Sequence, residues 1–275
     1  MKTRIIVAAV CVPLIFIVMF FLPPYALAGV VALICAISAY ELLNAIGGKG
    51  NDRIRIYATF SAALIPIGAY FGLTALVFQA VLLVLMCLLF VEAILVFKTI
   101  RQIKFTQILI TIFGGALIPL MLSSLIELKQ MPEGHLFVLL PVISAFVTDA
   151  GAYFTGMAIG KKKAFPNVSP KKTVEGCIGG LAVGTAGLMV YGVIIYATTL
   201  HWVVFWALLI YGVIGAFISQ LGDLAFSLIK REFDVKDYGR LLPGHGGMLD
   251  RFDSMVFTAP AIYLLTLVIP AIIVR

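Results

Sequence analysis

An all-α, polytopic membrane fold follows from three observations on this sequence. Mean hydropathy is +1.12 over 275 residues, 62% of them hydrophobic, more apolar surface than a soluble core encloses. The apolar residues fall in continuous runs of about 20, the length that crosses a hydrocarbon core, and not in short alternating strands, which excludes a closed barrel. The basic residues gather in every second connection between those runs, as the positive-inside rule requires of a multi-pass protein.

About nine such runs can be marked, at residues 5–22, 25–46, 54–73, 75–97, 106–128, 136–159, 174–198, 201–229 and 252–274. Ala26-Leu27-Ala28 after a basic start imitates a signal-peptidase site. The apolar run before it exceeds the about 7–15 residues of a secretory segment, so it reads as a retained first span. With the N-terminus and every second loop in the cytoplasm, every Lys and Arg except Lys129 and Arg275 lies on that side. The N-terminus is then cytoplasmic and the C-terminus external. The net charge of +7 becomes a concentrated cytoplasmic field, suited to anionic headgroups or nucleotide phosphates. Cys11, Cys35, Cys87 and Cys177 all sit in apolar context without metal or redox spacing.

Composition divides the chain at about residue 130. Residues 1–130 read as membrane scaffold, and residues 131–275 as the chemical half of one integrated membrane domain. Within the scaffold, Glu92 reads as a snorkelling side chain near a span end. Glu41 with Asn44 either reaches a polar cavity or bonds a neighbouring helix.

Three clusters carry candidate chemistry. Asp149 and Tyr153 are four apart on one helix face, ahead of Lys161-Lys162-Lys163. A carboxylate within a span is costly enough to suggest function, with a structural hydrogen bond as the alternative. Next, Ser169-Pro-Lys171-Lys172-Thr173 precedes a helix that Ser169 or Thr173 would cap. Two lysines beside a helix N-terminus suit a phosphate, although a basic loop also simply sets topology. Gly176, Gly180 and Gly184 then recur every fourth residue, for tight packing or a dimer seam. In the third cluster Ser219, Asp223, Ser227 and Lys230 line one stripe of the eighth span. Asp250 and Asp253 share a face at the start of the last helix, where they either bind a hard cation or complement the helix dipole. His245, between glycines, is read as a phosphate contact in preference to a turn residue or a general acid.

The segment from Ser227 to Asp253 reads Ser-Leu-Ile-Lys230-Arg231, four residues, Lys236-Asp237-Tyr-Gly, then Pro243-Gly-His245-Gly246-Gly247-Met-Leu-Asp250-Arg251-Phe-Asp253. It resembles, at every fixed position, the signature of the phosphatidate cytidylyltransferases, the CDP-diacylglycerol synthases. The Ser169–Thr173 stretch, after Asp149-Ala-Gly-Ala-Tyr153, is similar to a second motif of that family. Val174 departs from it where tryptophan is common, and Met157 where a basic residue often follows the glycine. The resemblance covers roughly residues 145–255. It implies a nucleotidyltransferase that converts CTP and phosphatidate to CDP-diacylglycerol and pyrophosphate in phospholipid biosynthesis, at the cytoplasmic face of the cell (inner) membrane.

It further implies Mg2+ held by Asp223, Asp250 and Asp253, with allowance for a second cation. Lys230, Arg231 and His245 join these aspartates as catalytic candidates. Asp149, Tyr153, Ser169, Lys171, Lys172, Thr173, Lys236, Asp237, Gly246, Gly247 and Arg251 are the candidate substrate contacts. Membrane lipids surround the protein, a homodimer is implied, and no nucleic-acid partner is expected. The alternatives are a related CTP-dependent enzyme (a CDP-archaeol synthase or a lipid kinase) and, in another class, a permease. A permease has little use for a long mixed-charge loop containing Pro-Gly-His-Gly-Gly.

The orientation is testable. Cysteines placed in loops 161–173 and 231–249 are expected to resist an impermeant thiol reagent in intact cells; labelling from outside overturns the cytoplasmic assignment.

Overall fold

Helices dominate the computed structural model, which describes residues 14–47, 52–199, 201–241 and 246–273. Of the first expected span, residues 14–22 fall within this set, and 14–21 are helical. Helix α1 (Pro24–Ile46) opens on a proline in its first turn, where the missing N–H costs no hydrogen bond. It is followed by α2 (Asp52–Tyr70), α3 (Thr74–Leu95) and α4 (Phe105–Ile112). The last of these continues through a π turn at Phe113–Leu117 into α5 (Ile118–Gln130).

These helices, with Phe233–Phe252, form one compact unit. Gly114 and Gly115 occupy the π turn, and a Cβ on Gly115 would lie 3.0 Å from the Ala58 Cα of α2. The wide turn and absent side chains let the backbones meet there. Lys129, buried near the end of α5, donates to the carbonyls of Met19 and Phe20 at 2.7 Å each. It thereby satisfies acceptors at the end of the helical stretch 14–21.

The second unit comprises Met131–Glu232 and the chain from Asp253 onward. It holds α6 (Gly134–Phe137), α7 (Leu139–Ile159), α8 (Val174–Thr198), α9 (Phe205–Glu232) and most of α10 (Leu249–Val268). Two short antiparallel ribbons were not legible in the hydropathy. β1 (Lys163–Phe165) pairs with β2 (Ser169–Thr173), and β3 (Trp202–Val203) with β4 (Ile272–Ile273). The second ribbon shortens two expected spans. α9 starts at Phe205, and α10 stops at Val268 because Pro270 cannot continue an N–H ladder. Tyr211 fastens this end by donating to the Ile269 carbonyl at 2.6 Å.

Seven helices among the described residues are long and apolar enough to cross a bilayer. The expected nine are therefore not all accounted for. Helix α2, in the third expected span, is not among the seven; Asp52, Arg53 and Arg55 crowd its first turn. Glu41 and Glu92 of the scaffold are both engaged within the first unit. Glu92 accepts from Arg53 and from the Tyr57 hydroxyl, both at 3.0 Å, so it is paired with α2 and does not snorkel freely.

The glycine stripe of α8 lies against α7 of the same chain, which supports packing over a dimer seam. A Cβ on Gly180 would sit 2.9 Å from the Thr148 carbonyl oxygen and 2.8 Å from the Ala152 Cβ. Backbone cannot yield as a flexible side chain does, so a larger residue must push the helices apart. Gly180→Val is expected to cost about 1–3 kcal/mol, read as a lowered thermal midpoint of the detergent-solubilised protein.

Candidate functional site

In the second unit the acidic residues converge. Gly222 of α9 lies under α10, where a Cβ would be 3.1 Å from the Asp253 carbonyl oxygen. This close crossing brings Asp223 beside buried Asp253, and the Phe226 and Phe257 rings meet edge-on one turn away. Asp223, Lys230 and Asp149 all lie within electrostatic range of the Asp253 carboxylate. Asp253 accepts from the Ser254 amide at 2.8 Å, and the Ser254 hydroxyl reaches Asp149 at 3.4 Å. The polar stripe of α9 runs from fully buried Ser219 through half-buried Asp223, Ser227 and Lys230.

The ribbon β1–β2 delivers the positive charge. Lys172 at the end of β2 pairs with Asp223, Nζ to Oδ2 at 2.5 Å, with both side chains largely enclosed. Lys171, next along an extended strand, is exposed. Thr173 caps α8 by accepting from the Gly176 amide at 3.1 Å, and Ser169 pairs with Phe165 across the ribbon. Glu175 in the first turn of α8 accepts from the Lys161 amide at 3.0 Å, which ties the ribbon to the helix start. Arg231 donates to the Val168 carbonyl at 3.2 Å, holding the ribbon tip to the end of α9. Tyr153 is exposed and meets Phe154 edge-on.

In the first unit the remainder of the signature forms a tightly tied loop. Asp250 Oδ2 accepts from the amides of Tyr238 and Gly247, both at 2.9 Å. Gly246 has φ +85°, and a Cβ there would lie 2.9 Å from the Asp250 carboxylate and 3.4 Å from that of Asp237. Lys236, Asp237 and Arg251 are exposed, whereas Gly247 is buried. His245 lies outside the described residues.

The residue whose part was open in the sequence is Glu41. Buried on α1, it accepts from the Leu249 amide at 3.1 Å, and its carboxylate occupies the space that a Cβ on Gly239 or Gly247 would need. Those two glycines are glycines because a carboxylate from another helix fills their side-chain space. Asn44, one turn on, accepts from Arg55 of α2 at 2.7 Å. Hydropathy alone could not separate these roles, because partner choice depends on which elements meet.

Among the described residues, no group of three or more His, Cys, Asp and Glu converges closely enough to hold a metal ion as placed. The chemistry of the second-unit cluster nonetheless suits a hard divalent ion, because its acceptors are carboxylate oxygens. Asp149, Asp223 and Asp253 against Lys172 and Lys230 leave the cluster formally net negative, so added positive charge is electrostatically favoured. One oxygen of Asp250 already serves two amides.

The Glu41 contact generates a prediction. Glu41→Ala leaves the buried Leu249 amide without its acceptor, a loss of about 1–3 kcal/mol. Limited trypsin cleavage at Lys236 and Arg240 is expected to accelerate, and Glu41→Gln, which keeps an acceptor oxygen, is expected to restore much of the resistance.

Residues 2–269 match the Cytidylyltransferase family. A phosphatidate cytidylyltransferase of Thermotoga maritima is 30% identical over 285 residues, covering 99% of this chain and 98% of that protein. Proteins of the same name match more closely over about half of each chain. That of Bacillus subtilis is 39% identical over 141 residues, 51% of both chains. That of Staphylococcus saprophyticus is 45% identical over 133 residues, 48% of this chain and 50% of its own. A family match over residues 2–269, with a relative 30% identical along nearly the whole chain, makes this protein a member of the cytidylyltransferase family.

Proposed function

We propose that the protein transfers the cytidylyl group of CTP to phosphatidate, giving CDP-diacylglycerol and pyrophosphate. The observation that carries this reading is the Lys172–Asp223 pair beside buried Asp253. A lysine held among carboxylates at the end of a membrane helix suits a reaction between two anions in which phosphate charge must be neutralised. The name and full-length match of the Thermotoga relative support the substrate assignment.

In this reaction an oxygen of the lipid phosphate attacks the α-phosphorus of CTP. The bond from that phosphorus to the bridging oxygen of the pyrophosphate breaks, and pyrophosphate leaves. The nucleophile needs no dedicated base, because the second pKa of a phosphate monoester is about 6. Lys171 and Lys172 take the nucleotide phosphates, and Lys230, Arg231 and His245 complete the positive surface. Asp149, Tyr153, Ser169, Thr173, Lys236, Asp237, Gly246, Gly247 and Arg251 remain substrate contacts in this reading. Thr173 acts through the cap that sets the start of α8, while Asp149 joins the acidic cluster through Ser254.

Asp223, Asp250 and Asp253 are the proposed Mg2+ ligands, on donor chemistry and spacing, with Asp149 as an acidic neighbour. The chemistry a divalent ion supplies there is screening of the α-phosphate and of the departing pyrophosphate. A cytoplasmic-facing site in the cell membrane lets cytosolic CTP meet an interfacial headgroup, and a homodimer is the proposed assembly.

Incubating purified protein with phosphatidate and α-labelled CTP tests the reaction. Label is expected in the lipid, dependent on Mg2+; label that stays in nucleotide overturns the reading. Lys171→Ala with Lys172→Ala is expected to raise KM for CTP more than KM for phosphatidate. Asp253→Asn is expected to lower kcat about 100-fold or more while the protein remains folded in the membrane.

A further inference from the structure

A groove of about 580 Å³ opens on the second unit. Its walls are Cys177, Ile178 and Leu181 of α8 and one face of α9, and Phe165 and Val168 of the ribbon close one end. Gln220 spans the two walls by donating to the Cys177 carbonyl at 3.1 Å. The lining is otherwise apolar, and Ile178, Phe217 and Leu228 are largely exposed.

Two features distinguish this groove from an ordinary lipid-facing surface. The first is charge at one end only. Val168 at the ribbon end accepts from Arg231, and Cys177 lies within electrostatic range of Lys172 and Asp223. An occupant therefore meets Arg231 and the Lys172–Asp223 pair at the ribbon end and hydrocarbon along the remainder. The second is depth. Along α9 the groove extends from Leu228 to Phe217, roughly 16 Å at the rise of a helix, about half of a hydrocarbon core of about 30 Å. A groove one leaflet deep with a basic mouth has the dimensions and polarity of one acyl chain carrying an anionic headgroup.

We propose that this groove seats an acyl chain of the phosphatidate substrate, with the lipid phosphate directed toward Arg231. The proposal rests on the cytidylyl-transfer reading and adds where the lipid enters. Bilayer hydrocarbon is as apolar as the groove, so the chain gains almost nothing by transfer from one to the other. The groove acts by orientation: it fixes the position of the phosphate along the membrane normal and beside Arg231. Blocking it is therefore expected to impair use of the lipid without altering nucleotide binding.

Half-buried Ala225 and largely exposed Ile178 both line the groove. Ala225→Phe and Ile178→Trp are each expected to raise KM for dioleoyl phosphatidate about five- to tenfold, with KM for CTP changed less than about twofold. The unsubstituted protein supplies the second measurement, in vesicles containing phosphatidate with a mid-chain diazirine. Photolabel is expected on the peptides that carry Ile178–Leu181 and Leu221–Leu228, and excess unlabelled phosphatidate, but not phosphatidylcholine, is expected to suppress it. Label at the groove that both lipids suppress equally marks ordinary lipid solvation and overturns the proposal. So does label found only elsewhere, or disulfide trapping of two copies through Leu228→Cys, which would make the groove a subunit interface. If the unsubstituted protein turns over CTP and phosphatidate while the groove stays unlabelled, this inference alone fails. If it does not turn them over, the cytidylyl-transfer reading fails and takes the groove assignment with it.

Discussion

Placing a carboxylate in a membrane helix is expensive, and the second unit is organised around doing so at Asp253. An isolated buried charge costs several kcal/mol even after relaxation, so the surrounding chain must supply compensation. Here it comes from the Ser254 amide, from Lys230 on the facing helix, and from Lys172, which the ribbon carries to Asp223. The close crossing of α9 and α10 at Gly222 is what permits this. A side chain there would separate the helices and leave each charge poorly compensated.

The same requirement explains the small residues of α8. Gly176, Gly180 and Gly184 let α7 approach until helix backbones nearly touch, and α7 carries Asp149 while α8 begins at the lysine-bearing ribbon. Packing without side chains fixes the separation of these helices within narrow limits, because backbone atoms offer no rotamers with which to adjust. A cluster of like charges needs such rigidity. Carboxylates free to move apart would do so, and the field they create for a cation or a phosphate-bound metal would be lost.

In the first unit a different economy holds. Asp250 and Glu41 spend their oxygens on backbone amides of the loop that precedes α10, and the glycines of that loop are the places where carboxylates approach. In this loop, amide-to-carboxylate bonds tie the backbone beside buried Tyr238 and Leu249. Cytidylyl transfer makes sense of the cost. Two anions must be held together at a membrane surface, which calls for positive groups in a stable arrangement more than for a proton-transfer base.

Much of this was legible in the residues themselves. Membrane class follows from hydropathy, and the helical stripe of Asp223, Ser227 and Lys230 follows from spacing that any α-helix obeys. The signature from Ser227 to Asp253 marks the family because its residue types are fixed by phosphate chemistry. Local rules narrowed the cap of α8 to Ser169 or Thr173, and the structure uses Thr173. Partnerships between distant segments could not be read this way. That Lys172 meets Asp223, that Glu41 fills the space beside Gly239 and Gly247, and that the glycines of α8 face α7 and not a second subunit all depend on which elements come into contact. Nor did hydropathy disclose the two ribbons, since a few extended residues inside apolar or basic runs leave no periodicity to detect. The sequence by itself determined the membrane environment, the helix faces and the chemistry available. Only tertiary structure decided which charges compensate one another, because in a low-dielectric interior that choice is made by packing distance and not by residue type.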